Sequence, residues 1–303
     1  MTAFVDLTRG LKPEALQARL FAGEVLIFRG LAPVRALAED ADRRLRAAFP
    51  EAESPERITE RLDRDVFVGR AADLRRAYHD DPAAMALWRR ALEACGCVLE
   101  RTYWDRLRVR VNPPGATHHS RRILNLPAHR DSWGSMLPQQ INWWAPVYPL
   151  DAGRTLLIYP DAWNRPVEND SAGWDLEALR RERAAGRAAA LPLLPTASRP
   201  EEWGAPAALL PDPGDLVAFS AAHLHASAVN RTGRSRFNIE GRTVDVGELD
   251  AGRGAPDPDG RAPRIAYHWF EHCRDGAPLP PRAAGVRSAN PNGLRESDRT
   301  CSD

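Results

Sequence analysis

His129 and Asp131 stand two residues apart in LPAHRDSWG, and His223 and His225 stand two apart in PGDLVAFSAAHLHASAVN, far downstream. On extended chain, residues i and i+2 point to the same side. His129 and Asp131 can therefore grip one metal ion from one face, and an imidazole from a distant strand would complete a set of two histidines and one carboxylate. Three ligands on one face of an octahedron leave three adjacent positions open for other molecules. His223 and His225 share parity, so spacing alone allows either to be the third ligand. A further stretch, RTGRSRFNIEGRTV, puts Arg236, Asn238, Glu240 and Arg242 on one face of a strand and Phe237 and Ile239 on the other. That alternation predicts a polar-lined interior backed by an apolar layer.

The rest of the sequence must supply the frame. Residues 1–104 read as helical support: Leu11–Leu20, 33–49 and 71–95 carry apolar residues at helical spacing, and GEVLIFRGL (Gly23–Leu31) is a short strand between glycines. From residue 105 to 245 the texture is that of strands: RLRVRV, QQINWWAPV, RTLLIY, DLVAFS and SRFNIEGRTV, separated by Pro, Gly and Asn. NRTGR reads as a hairpin turn bringing His225 and Arg236 to one interior. An insertion over 160–211 carries an expected helix, Asp175–Ala185, with Asn169, Asp170 and Ser171 as cap candidates, and is expected to act as a lid. Residues 246–303 form a Gly-, Pro- and Asp-rich extension. We read one domain over 1–303.

Composition narrows the function. The chain has 303 residues, 43% hydrophobic and 27% charged, which excludes a disordered chain, a collagen-like repeat and a coiled coil. A net charge of +1 leaves no excess to neutralise nucleic acid or an anionic membrane, so a small molecule is the expected partner. Of 42 basic residues, 41 are arginine, so any carboxylate bound here meets a guanidinium fork. No apolar run approaches the ~20 residues of a membrane span. Cys95, Cys97, Cys273 and Cys301 include no CxxC pair and are not expected to hold metal. No basic-then-apolar leader opens the chain, and a cytoplasmic setting is expected. Oligomeric state is left open.

His129-x-Asp131, the PGDLVAF strand, His225-x-Ser227-x-x-Asn230 and Arg236 together resemble the Fe(II)- and 2-oxoglutarate-dependent oxygenases, in particular the phytanoyl-CoA dioxygenase-like branch. The resemblance covers about residues 105–245. It implies an α+β, mainly β protein with a double-stranded β-helix (jelly-roll) core and N-terminal helical cladding. It implies Fe(II) held by His129, Asp131 and His225, with 2-oxoglutarate and O₂ as co-substrates. Arg236, assisted by Ser227, would bind the distal carboxylate of 2-oxoglutarate. The H-x-S-x-x-N match and the offset to Arg236 favour His225 over His223. His79, His118, His119, His268 and His272 lack such context. The region that frames substrate in the family is replaced here by YPDAWNRPVEN, so substrate is read from position alone: Arg110, Trp133, Asn142, Trp144 and Arg242 are the candidates. The expected activity is hydroxylation of a small polar molecule, a secondary metabolite or an acidic or sugar-acid metabolite. The alternatives are a jelly-roll metal-binding protein without oxygenase activity, and a peptidyl hydroxylase.

Overall fold

The computed structural model describes residues 2–115, 125–186 and 192–282. The chain runs β1 (Ala3–Leu7), α1 (Pro13–Phe21), β2 (Glu24–Phe28), α2 (Ala32–Ala48), α3 (Arg64–His79), α4 (Pro82–Cys95), β3 (Thr102–Trp104) and β4 (Arg108–Asn112). It continues through α5 (Ser132–Ser135), β5 (Ile141–Pro146), β6 (Leu156–Ile158), α6 (Leu176–Ala184), β7 (Ala207–Leu209), β8 (Leu216–Ser220), β9 (His225–Ser227), β10 (Arg236–Asp245), α7 (Val246–Asp250) and β11 (Glu271–His272), with 3-10 turns between.

Two sheets form. The larger has the order β1-β2-β8-β5-β10-β3-β11, with β4 also paired to β10; the smaller is β7-β6-β9. β1 and β2 are parallel, and every other pairing is antiparallel. The large sheet is thus an α/β assembly that takes β1, β2, β3 and β11 from outside residues 105–245. The short β3 and β11 gave little periodicity to read.

Alternation explains how the large sheet serves two cores. Ile141, Trp143 and Ala145 of β5, Leu216 and Ala218 of β8, and Phe237 and Ile239 of β10 face the helices. There they meet Val34, Leu37, Ala41 and Leu45 of α2 and Trp88 and Leu92 of α4, residues spaced to fall on one helical stripe. From the opposite face, Trp144, Val217 and Phe219 meet Leu156, Ile158 and Leu209 of the small sheet. Both faces are covered, which is why β5 and β8 are buried throughout. Gly241 lets Trp88 approach closely: a Cβ there would lie 3.1 Å from the indole.

Two expectations change in the structure. NRTGR is not a hairpin: β9 pairs with β6 in the small sheet, while β10 belongs to the large one, so the turn carries the chain between sheets. Asn230 organises that turn, its amide donating to the carbonyls of Asn112 and Arg234 (3.0 and 2.8 Å). The cap of α6 is Asp175, which accepts from the amides of Glu177 and Ala178, not a residue at 169–171. At the start of the insertion, Ala162 and Val167 are buried with Trp133 and Ala226.

Asp259, in the Gly-, Pro- and Asp-rich extension, is a buried junction. Its carboxylate accepts from Arg130 (3.1 Å), Trp133 Nε1 (2.7 Å) and the Val167 amide (2.8 Å). Arg130 is itself buried and lies between His129 and Asp131. Removing one partner of a buried pair strands the other charge, so Asp259→Asn or Asp259→Ala is expected to cost about 3–5 kcal/mol in a denaturant titration. Adding Arg130→Met to Asp259→Ala should recover part of that loss, a non-additivity that two independent sites would not show.

Cys95, Cys97 and Cys273 are free and buried. Cys301, His118, His119, residues 187–191 of the insertion and 283–303 of the extension lie outside the described residues. Among the described residues, no helix is long and apolar enough to cross a membrane.

Candidate metal centre

His129 and His225 are brought together by a single antiparallel bridge. Each amide donates to the other's carbonyl, at 2.9 and 3.0 Å. Side chains of such a directly opposed pair project to the same face, and the two imidazole centroids are 4.1 Å apart. Asp131 arrives differently from the plain strand geometry expected of H-x-D. Its backbone is helical (φ −65°, ψ −28°) and leads into α5, whose Gly134 and Ser135 amides donate to the Asp131 carbonyl. The turn still brings the carboxylate to the imidazoles. His129, Asp131 and His225 each offer a ligand atom within 4.8 Å of the others.

The ring nitrogens are assigned by their partners. His129 Nδ1 donates to the Pro127 carbonyl (2.7 Å) and His225 Nδ1 to the His223 carbonyl (2.9 Å). Those bonds leave both Nε2 atoms as acceptors, and His225 Nε2 is 3.6 Å from Asp131 Oδ2. His223 differs: its Nδ1 and Nε2 lie 3.2 Å from the carbonyls of Ser220 and Gly23, and its ring stacks near Trp163. The neutral ring donates to one of these carbonyls, and His223 is not among the residues whose ligand atoms converge at the triad.

Electrostatics favour the metal-binding protonation states. Burial, with the neighbouring His225 adding to it, pushes the His129 pKa down to about 3, and burial also lowers that of His225. Both imidazoles are neutral near pH 7. Burial alone would raise the Asp131 pKa, but Arg242, His225, His129 and the Asn142 amide together hold it well below the usual carboxylate range. The donor set, two neutral imidazoles and one carboxylate, suits a divalent transition metal.

A second tier fixes the acid. Asn142 Nδ2 donates to Asp131 Oδ2 (2.6 Å), and Gln140 Nε2 donates in turn to Asn142 Oδ1 (2.9 Å). Arg242 Nη2 lies 3.3 Å from Asp131 Oδ1, while its own amide donates to Asp105 Oδ1 (2.8 Å). Asn142 and Arg242, expected as substrate groups, line the same cavity as the triad and also contact Asp131. Asp105 was missed because nothing around it in sequence marks it. Asn142→Ala or Arg242→Met is expected to weaken divalent-metal affinity about 10- to 100-fold by calorimetry, the usual cost of losing an outer-shell partner.

Arg236 lies in the same cavity, together with Ser227, Arg110, Trp144 and Glu240. It is fully buried. Nη1 donates to the Thr155 carbonyl (2.7 Å), Nη2 is 3.4 Å from Ser227 Oγ, and Nε has no hydrogen-bond partner. No carboxylate pairs with it among the described residues. Burial, then the charge of Arg110, lowers its pKa to about 10. Arg110 is engaged with Glu240, Nε donating to Oε2 at 2.8 Å and Nη2 to Oε1. Trp133 does not line the cavity; its indole is core, tied to Asp259.

No protein-family model and no curated protein matches the chain. Among solved structures, EvdO2 from Micromonospora carbonacea var. aurantiaca complexed with 2-oxoglutarate is 15% identical, over 84% of this chain and 97% of that one, with a TM-score of 0.42. The non-heme alpha ketoglutarate dependent epimerase SnoN from nogalamycin biosynthesis is 17% identical, over 87% and 100%, at 0.37. EvdMO1 is 14% identical, over 55% and 31%, at 0.32. The chain spans less than two thirds of two of these matches, 64% of another EvdO2 structure and 31% of EvdMO1. The chemistry rests on the side chains above.

Proposed function

We propose that this protein is an Fe(II)- and 2-oxoglutarate-dependent dioxygenase of the phytanoyl-CoA dioxygenase-like branch, hydroxylating a small polar molecule. The two facing sheets would be its double-stranded β-helix, within one domain over 1–303. The fixed insertion would wall the site from water, in the cytoplasm.

One observation carries this reading: a His-Asp-His triad shares a cavity with a buried arginine that lacks a carboxylate partner. A buried guanidinium without a counter-ion is costly, and the cost is offset when a ligand supplies a carboxylate. His129, Asp131 and His225 would hold the metal; Arg236 and Ser227 would hold the far carboxylate of 2-oxoglutarate. Bound ferrous ion supplies the oxidation R–H + 2-oxoglutarate + O₂ → R–OH + succinate + CO₂. The residues' own work is positional. The Pro127 and His223 carbonyls orient the imidazoles, Asn142 and Arg242 keep Asp131 ionised and aimed, and the Leu156, Phe219 and Trp144 side chains exclude water.

The test is succinate formation from 2-oxoglutarate with added Fe(II), read with and without a metabolite extract. Metal-dependent succinate supports the proposal. Tight metal binding with no succinate under any extract would instead favour a metal-binding protein without oxygenase activity.

A further inference from the structure

The face of β4 and β10 that lines the metal cavity continues beyond it. Arg108 and Arg110 of β4 line the cavity, and residues two apart on a strand share a face. Asn112, the last residue of β4, therefore faces the same interior. Across the antiparallel ladder it stands directly opposite Arg236 of β10. Such a pair sets its Cβ atoms about 4.5–5.5 Å apart on one face of the sheet. Asn112 is 1% exposed and Arg236 2%, so water does not serve either side chain from outside.

Neither side chain is fully satisfied from within the protein. Asn112 Nδ2, Asn112 Oδ1 and Arg236 Nε are buried without a hydrogen-bond partner among the described residues. The Thr155 carbonyl takes Nη1 of Arg236, so the guanidinium presents its other edge, Nε and Nη2, with Ser227 Oγ 3.4 Å from Nη2. Buried amides are nearly always paired, because an unmade bond forfeits the water each group gave up. Asn230 shows the ordinary case: its Nδ2 donates to the Asn112 and Arg234 carbonyls, and its Oδ1 accepts from the Thr232 hydroxyl. Those bonds pin the main chain at Asn112 and at the approach to Arg236. The unpaired groups therefore sit on a fixed frame.

The donors select the ligand. Arg236 offers Nε and Nη2, Asn112 offers Nδ2 and Ser227 offers its hydroxyl, all on buried residues. A carboxylate seated side-on against the Nε–Nη2 edge keeps lone pairs free for an amide N–H and a hydroxyl. An unpaired asparagine alone would suit many polar groups; directly across from an unpaired guanidinium edge, it suits an acid.

We propose that Asn112 is a further co-substrate-binding residue, its amide donating to the distal carboxylate of 2-oxoglutarate beside Arg236. This rests on the oxygenase reading. Asn112 strengthens the choice of a 2-oxo acid that carries a second carboxylate and leaves the metal to the triad.

Anaerobic titration calorimetry of 2-oxoglutarate into the Fe(II)-loaded full chain tests this without turnover. Asn112→Ala should weaken 2-oxoglutarate about 10- to 100-fold, the range of a hydrogen bond to a charged group, and leave Fe(II) affinity unchanged. Asn112→Asp should abolish 2-oxoglutarate binding, because its near-isosteric carboxylate occupies Arg236 in place of the ligand. With Arg236 beside it, the ligand-free Asn112→Asp protein should melt no lower than wild type. Adding Arg236→Met should then lower its melting temperature by stranding the new carboxylate. An asparagine that only packs predicts the reverse: the buried carboxylate melts the protein lower, and Asn112→Ala binds 2-oxoglutarate as wild type does. Unchanged 2-oxoglutarate affinity in Asn112→Ala, 2-oxoglutarate binding kept in Asn112→Asp, or an Asn112→Asp protein that melts far below wild type would each overturn the proposal. Failure of the oxygenase reading looks different, since wild type itself then binds no 2-oxoglutarate with Fe(II) present, and the role of Asn112 falls with it.

Discussion

His129→Ala, Asp131→Ala and His225→Ala are each expected to reduce Fe(II)-dependent succinate formation below about one-hundredth of wild type. Loss of an outer-shell partner alone costs 10- to 100-fold at metal sites, and removing a ligand must cost more. His223→Ala is the control. Its imidazole nitrogens face the Ser220 and Gly23 carbonyls, and its ligand atoms do not join those that converge at the triad. It should lose stability, because the buried ring leaves a cavity, yet still bind metal. Equilibrium metal titration beside a thermal melt separates the two. Metal binding lost in His223→Ala and kept in His225→Ala would reverse the assignment.

Arg236→Met should raise the KM for 2-oxoglutarate by about 100-fold or more and leave metal affinity close to wild type. The magnitude follows from breaking a buried charge-assisted contact, about 3–5 kcal/mol. The companion expectation concerns the protein without co-substrate. Arg236 is buried with an unpartnered Nε and no counter-ion, so a methionine of similar length removes a desolvated charge. The ligand-free variant should melt no lower than wild type. With metal present, 2-oxoglutarate at about a hundred times Kd should add about 2.7 kcal/mol to wild type and nothing to Arg236→Met. A variant that melts far lower, with KM unchanged, would make Arg236 a structural residue.

How much of this was legible beforehand varied with the kind of contact. The triad could be read because its chemistry is carried by residue type at short spacing, and β10 because its polar and apolar residues alternate. The polar face of β10 was legible as a face, but the partner of each side chain was not. Arg242 and Asn142 read as substrate groups, and sequence cannot show that Asp131 would turn out of extended chain and meet them as well. Trp133 lies two residues past a metal-binding aspartate, yet α5 swings it into the core beneath Asp259. NRTGR carries every local mark of a hairpin; only the pairing of β9 with β6, about 70 residues away in the chain, shows that it joins two sheets.

The most direct measurement is an anaerobic titration of 2-oxoglutarate into the full-length protein with and without Fe(II). Without oxygen no turnover confuses binding. One equivalent binding only when Fe(II) is present, and lost in both Asp131→Ala and Arg236→Met, is the predicted result. Binding indifferent to iron, or none at all, would contradict a triad and an arginine that share one ligand.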